Sequence, residues 1–232
     1  MKTQPINNRK SEILKKIIEH YINEAQPISS GMLAKKDFPE ISSATLRNEM
    51  LDLTNQGFLF QPHTSAGKVP TENAFRFFLE NFIENKELDK KLQNIFLQIY
   101  KKGSDQRKKI KEMAKEMANQ SGEAIIVAFS KDDYFYTGLS NLFSQPEFHD
   151  FSLVQDLSKI IDCLDKTLNK IFDEIQEIKI LIGQENPFGN HCAVILAPLK
   201  KQKEKIVIGI LGPIRMDYKH NLALIKFISE LL

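Results

Sequence analysis

Apolar residues recur at helical spacing from the start of the chain. Ile13, Leu14, Ile17, Ile18, Tyr21 and Ile22 fall on one face of a helix spanning about Asn8 to Glu24. Gln26-Pro27 stops it, because a residue before proline avoids the α region. Ser29 or Ser30 is a suitable N-cap for a short second helix that turns Met32, Leu33 and Ala34 inward, and Phe38-Pro39-Glu40 makes the next turn. A third helix opens at Ser42 or Ser43 and runs to about Gln56. Leu46, Met50 and Leu53 give its buried face, and Gly57 suits the position just past its end. Two short extended runs, 58–60 and 69–70, flank a small polar tip and predict a β-hairpin. A long helix follows from Glu72 to about Glu84, with Phe75, Phe78, Leu79, Phe82 and Ile83 as its apolar stripe.

The pattern changes near residues 84–120. Lys101–Lys115 is rich in lysine, contains Gly103-Ser104, and predicts a solvated helix joined to a short turn. Beyond it, strands are predicted over Glu123–Ser130, Tyr134–Gly138, Ile178–Gly183, Cys192–Leu199 and Lys205–Leu211. Helices are predicted over Leu153–Ile175 and Lys219–Leu232, with a loop at Gln145–Phe148 and a charged hairpin turn at Lys200–Glu204. Helices covering one face of a mostly antiparallel sheet make an α+β domain. The expected organisation is a winged helix-turn-helix over 1–84, a helical linker over 85–122 and the α+β domain over 123–232.

Composition narrows the function classes. With 42% hydrophobic and 27% charged residues the chain is ordinary for a globular protein of 232 residues. A net charge of +2 excludes a polycation that coats nucleic acid without preference, so any DNA binding must come from a local patch. The two cysteines, Cys163 and Cys192, fit a reducing cytoplasm. Met1–Lys16 is polar and lacks the apolar core of a signal peptide. No apolar run approaches the roughly 20 residues that span a bilayer; the longest, Ala124–Phe129 and Ile206–Leu211, predict buried strands. A soluble, cytoplasmic protein without a membrane partner is expected.

The order helix, helix, turn, helix, hairpin is that of a winged helix-turn-helix, whose third helix fits the DNA major groove. Ser42, Ser43, Thr45, Arg47, Asn48 and Glu49 are expected on the exposed side of its start. Arg47 can bond bidentately to guanine and Asn48 to adenine. The three hydroxyls are short donors for phosphates or base edges. At the hairpin tip, His63, Thr64, Ser65 and Lys68 suit the DNA backbone or the minor groove. The same residues also fit plainer roles: Ser42-Ser43 as a helix cap alone, Arg47 and Glu49 as a solvated face, and the winged helix as a protein-interaction or ligand-sensing scaffold. No P-loop, nucleophile elbow or dinucleotide fingerprint is present, so no catalytic residues, cofactor or enzyme activity are expected. His191-Cys192 and Cys163 lack metal-ligand spacing, and no metal is expected.

Several blocks resemble one family. Ser42-Ser43-Ala44-Thr45-Leu46-Arg47-Asn48-Glu49-Met50 and Gln61–Thr71 are similar to the N-terminal signature of the HrcA family, the heat-inducible repressors of bacterial chaperone operons. Tyr136–Phe143 with Gln145-Pro146-Glu147-Phe148, Ile182–Asn186 and Gly209–Tyr218 resemble three blocks of its C-terminal region. The resemblance covers most of the chain outside residues 86–122. It implies a GAF-like C-terminal domain, a homodimer on an inverted-repeat operator in double-stranded DNA, release on heat stress, and a GroEL-type chaperonin as a further partner. Three departures stand out. The third helix continues as Leu51-Asp52-Leu53-Thr54-Asn55, somewhat divergent from the family, in a half expected to face away from bases. The chain is shorter than a typical member, with only Lys131-Asp132-Asp133 where the family has further strands and an inserted dimerisation domain. Lys68 stands where the family usually has arginine, which keeps the charge but loses the bidentate fork.

Overall fold

The structure, a computed structural model, describes residues 7–83, 86–102, 105–149, 155 and 164–232. The chain divides into two compact units between Ile83 and Glu84.

In the first unit, α1 (Asn8–Glu24), α2 (Ser30–Lys36) and α3 (Ser43–Asn55) are followed by the hairpin strands β1 (Leu59–Phe60) and β2 (Val69–Pro70) and by α4 (Glu72–Phe82). Each helix starts on a side-chain cap. Asn7, Ser29, Ser42 and Thr71 accept from the backbone N–H three residues on, satisfying a donor the helix cannot. Ile13, Leu14, Ile17, Ile18, Leu33, Leu46, Leu53, Phe75 and Phe78 form the core, on the faces the periodicity predicts. Gly57 has φ 80°, so the left-handed turn after α3 needs a residue without a Cβ. Thr71 Oγ1 donates to the Gly57 carbonyl at 2.7 Å and ties the start of α4 to that turn.

The second unit begins with α5 (Lys90–Lys101) and α6 (Gln106–Ser121). The stretch read from sequence as linker and solvated helix is therefore part of this unit: Ile110, Met113, Ala114, Met117 and Ala118 of α6 are buried. Lysines dominate only its outer face, and this masked the apolar stripe. The strands are β3 (Ala124–Ala128), β4 (Tyr134–Thr137), β5 (Lys179–Ile182), β6 (Cys192–Pro198) and β7 (Val207–Pro213). They form one antiparallel sheet in the order β4-β3-β7-β6-β5. The Lys131-Asp132-Asp133 segment is a tight turn. Phe129 N–H donates to the Asp133 carbonyl at 2.8 Å, and Arg107 of α6 forks onto the Asp133 carboxylate at 2.5 and 2.6 Å. β7 starts two residues later than predicted, because Val207 to Pro213 is the stretch that pairs with Pro198 to Cys192.

Helices cover both faces of the sheet, not one. Ala124, Ile126, Ala128, Cys192, Val194, Leu196, Val207 and Leu211 point to one side, where α7 (Leu139–Phe143), a 3₁₀ turn at Pro146–His149, and α8 (Leu164–Ile171) supply Leu142, Phe148, Leu164 and Leu168. The alternate residues Ile125, Val127, Ala193, Ile195, Ile208 and Ile210 are equally buried on the other side. There α6 and α9 (Tyr218–Leu231) pack on the strands, and Phe96 of α5 meets Phe227 of α9 with ring centroids 6.4 Å apart. The predicted start of a helix at Leu153, like Cys163, lies outside the described residues.

One buried acid sits in this fold. Glu123 precedes β3 opposite Gly212, where any side chain would strike its carboxylate. Burial pushes the Glu123 carboxyl up to about 8, with Arg215 pulling it down and Glu147 pushing it up. Arg215 is committed elsewhere, donating to Glu147 at 2.5 Å and to Gln145 at 2.8 Å. Among the described residues no helix is long and apolar enough to cross a membrane.

Candidate nucleic-acid interface

α3 has an anchored side and an open side. On the anchored side, Glu49 is buried and ion-paired with Arg9 of α1, and Lys10 donates to Asp52 at 2.9 Å. Sequence spacing put Glu49 with the exposed residues; the structure places it inward, because α1 offers two cations there. Ser43 is also turned in, its hydroxyl 3.1 Å from that of Ser30 on α2. The cap is Ser42, whose hydroxyl accepts from Thr45 N–H at 3.1 Å and lies 2.9 Å from Thr45 Oγ1.

Thr45, Arg47 and Asn48 are exposed on the open side. Among the described residues, no hydrogen bond or ion pair engages the Arg47 or Asn48 side chain, so both are available to a ligand. A cleft of about 580 Å³ separates this face from the hairpin. Arg47, Asn48 and Leu51 line one wall, Gln61, Thr64, Ser65 and Lys68 the other, and Ser29 and Ser30 contribute at one end. His63 is exposed at the tip but does not line the cleft.

The hairpin tip is braced from within. Gln61 Nε2 donates to the Thr64 and Ala66 carbonyls at 2.9 Å each, and Lys68 Nζ donates to Gln61 Oε1 at 3.2 Å. Ile28, between α1 and α2, exchanges backbone hydrogen bonds of 2.8 Å with Lys68 and so forms a one-residue antiparallel bridge beside the hairpin. Gly67 makes this possible, since a Cβ there would collide with the Ile28 carbonyl. Gln61 and Leu51 were not singled out from sequence. Glutamine in a tip carries no local signal of its bonds, and Leu51 sits in a half of α3 expected to face away from bases. Its spacing from Arg47 is the signal that could have found it, since four residues is one helical turn.

The remaining residues noted for their chemistry do not converge. Cys192 is a buried free thiol pushed up to about 12 by burial, while His191 beside it is exposed. The two side chains therefore share no site.

Comparison with known proteins gives the family of the chain. A family model described as the HrcA protein C-terminal domain matches residues 68–221. The heat-inducible transcription repressor HrcA of Natranaerobius thermophilus is 26% identical over 328 residues, covering 97% of this chain and 95% of that protein. The alignment is longer than the 232-residue chain, so that relative carries a segment this chain lacks. The HrcA repressor of Caldanaerobacter subterraneus subsp. tengcongensis is 47% identical over 81 residues, 35% of this chain and 24% of that protein. A crystal structure described as a hypothetical protein shares the fold, with a TM-score of 0.77 and 17% identity over 97% of this chain and 96% of that one. The family model covers well over half of the sequence, and the chain belongs to the HrcA family of heat-inducible transcription repressors.

Proposed function

We propose that this chain represses heat-shock (chaperone) genes by binding an inverted-repeat operator as a homodimer, with its first unit as the DNA-binding domain. The observation that carries the reading is the cleft between α3 and the hairpin. It brings the unengaged Arg47 and Asn48 side chains opposite Thr64, Ser65 and Lys68. α3 enters the major groove, where Arg47 takes a guanine edge, Asn48 an adenine edge, and Thr45 with Ser42 a phosphate or base edge. The hairpin lies along the backbone, with Lys68 and the Thr64 and Ser65 hydroxyls on phosphates and His63 at the adjoining groove. Ser43 supports α2 rather than the DNA. Two-fold symmetry then pairs two such heads on a palindrome.

The second unit serves as the regulatory and dimerisation region, and a GroEL-type chaperonin that keeps it folded links repression to heat. Its two-faced apolar sheet supports this. Such a sheet exposes large apolar surfaces until it closes, and these are the surfaces a chaperonin binds.

The test is fluorescence anisotropy of the full chain on an inverted-repeat chaperone-operon operator and on a scrambled duplex, near physiological salt, with light scattering alongside. Preferential binding by a dimer supports the reading. Equal, weak binding of both duplexes by a monomer overturns it.

A further inference from the structure

Two large apolar side chains of α3 line the cleft, Met50, which is buried, and Leu51, which is not. Leu51 is 51% exposed, whereas the other leucines of α3, Leu46 and Leu53, are fully buried. Among the described residues Leu51, Phe60 and Tyr136 are the large exposed hydrophobics, and of these only Leu51 lines the cleft. The core of the first unit is thus complete without it. Leu51 lies four residues beyond Arg47 and three beyond Asn48, so all three share one face. At 1.5 Å rise per residue it sits about 6 Å further along the axis than Arg47, a distance of about two base pairs at 3.4 Å each.

We propose that Leu51 is a specificity-determining residue that packs on a thymine methyl in the major groove, within about two base pairs of the base met by Arg47. The thymine C5-methyl is the apolar feature of the major-groove edges, and an aliphatic side chain beside hydrogen-bonding neighbours is suited to it. Arg47 and Asn48 read donors and acceptors. Leu51 reads shape and apolarity, across the cleft from the polar Gln61, Thr64, Ser65 and Lys68 of the hairpin. The inference rests on the operator-binding reading above.

The test separates the two. The full chain first selects its preferred duplex from a random pool. Each thymine of the selected site is then replaced singly by deoxyuridine, which deletes only the methyl. Wild type is expected to lose about fourfold in affinity at one thymine per half-site, the worth of one buried apolar carbon. Leu51→Ala is expected to bind the thymine and deoxyuridine duplexes equally, and Leu51→Met to keep the preference. The inference is overturned if no thymine matters to wild type or if Leu51→Ala keeps the preference. A Leu51→Ala change that alters self-association and leaves methyl preference intact would assign the leucine to a protein contact and overturn it equally. A selection that yields no consensus overturns the operator reading itself. A consensus that depends on Arg47 but not on any methyl overturns only the role of Leu51.

Discussion

Glu49 of α3 and Arg9 of α1 form an ion pair whose two ends differ in environment: the Glu49 side chain is 8% exposed and that of Arg9 57%. The pair fixes α3 from behind while leaving its opposite face open. Glu49→Ala removes the buried end and leaves Lys10 facing Asp52 alone. It should destabilise the first unit by about 2 kcal/mol, between the cost of breaking a surface pair and that of breaking a buried one. Arg9→Ala, whose partner can draw on Lys10, should cost less than about 1 kcal/mol. Urea unfolding of both variants checks the order, and equal midpoints would show that the anchor does not matter.

Arg47→Ala should weaken binding to the preferred operator by about 1–3 kcal/mol and leave binding to random duplex nearly unchanged, because a base contact is lost. Arg47→Lys should fall close to it, since a point charge cannot reproduce the fork. Parallel anisotropy titrations on the two duplexes read both outcomes. An equal loss on each would move Arg47 from base to phosphate.

Lys68→Ala should weaken both duplexes alike and flatten the plot of log affinity against log salt by about one unit. The change also removes the brace on Gln61. Lys68→Arg, which keeps the charge, should restore the slope. An unchanged slope for the alanine variant would take the hairpin off the phosphates.

The first unit was legible because its signals are local. Caps at Ser29 and Ser42, the proline after Gln26 and the helical apolar period each act within one turn of chain. What stayed hidden depends on partners distant in sequence. Glu49 is inward because of Arg9, and Gln61 matters because the tip folds back on it. The two-faced sheet was partly visible. Ala124–Ala128 and Cys192–Pro198 are apolar almost without alternation, which calls for cover on both sides, yet lysines in Gln106–Ser121 concealed one covering helix.

Gly67→Ala should displace the hairpin from Ile28, because the added carbon meets backbone rather than a flexible side chain. DNA binding should fall at least tenfold, with specific and random duplexes both affected; tenfold corresponds to about 1.4 kcal/mol. Far-ultraviolet circular dichroism should remain near wild type. Unchanged binding would show that the bridge between Ile28 and Lys68 is dispensable.

Glu123 titrates at about 8 in the folded chain, above the ordinary carboxylate value. The folded state therefore holds its proton more tightly than the unfolded one. That contribution is full below the unfolded value near 4.5 and is lost as pH rises through about 8. The slope approaches about 1.4 kcal/mol per pH unit within this window. Glu123→Gln should flatten thermal midpoint against pH there and exceed wild type in stability above pH 8. Identical profiles would mean that the acid is solvated or otherwise paired.

The sheet order also sets a schedule for synthesis. β3 emerges from the ribosome early, but its central neighbour β7 is translated some eighty residues later, and β6 waits for the same strand. The nascent chain therefore carries a finished N-terminal head while the rest is still an open ladder with apolar strands on display. Each new molecule passes through that interval before its last helix closes over the strands.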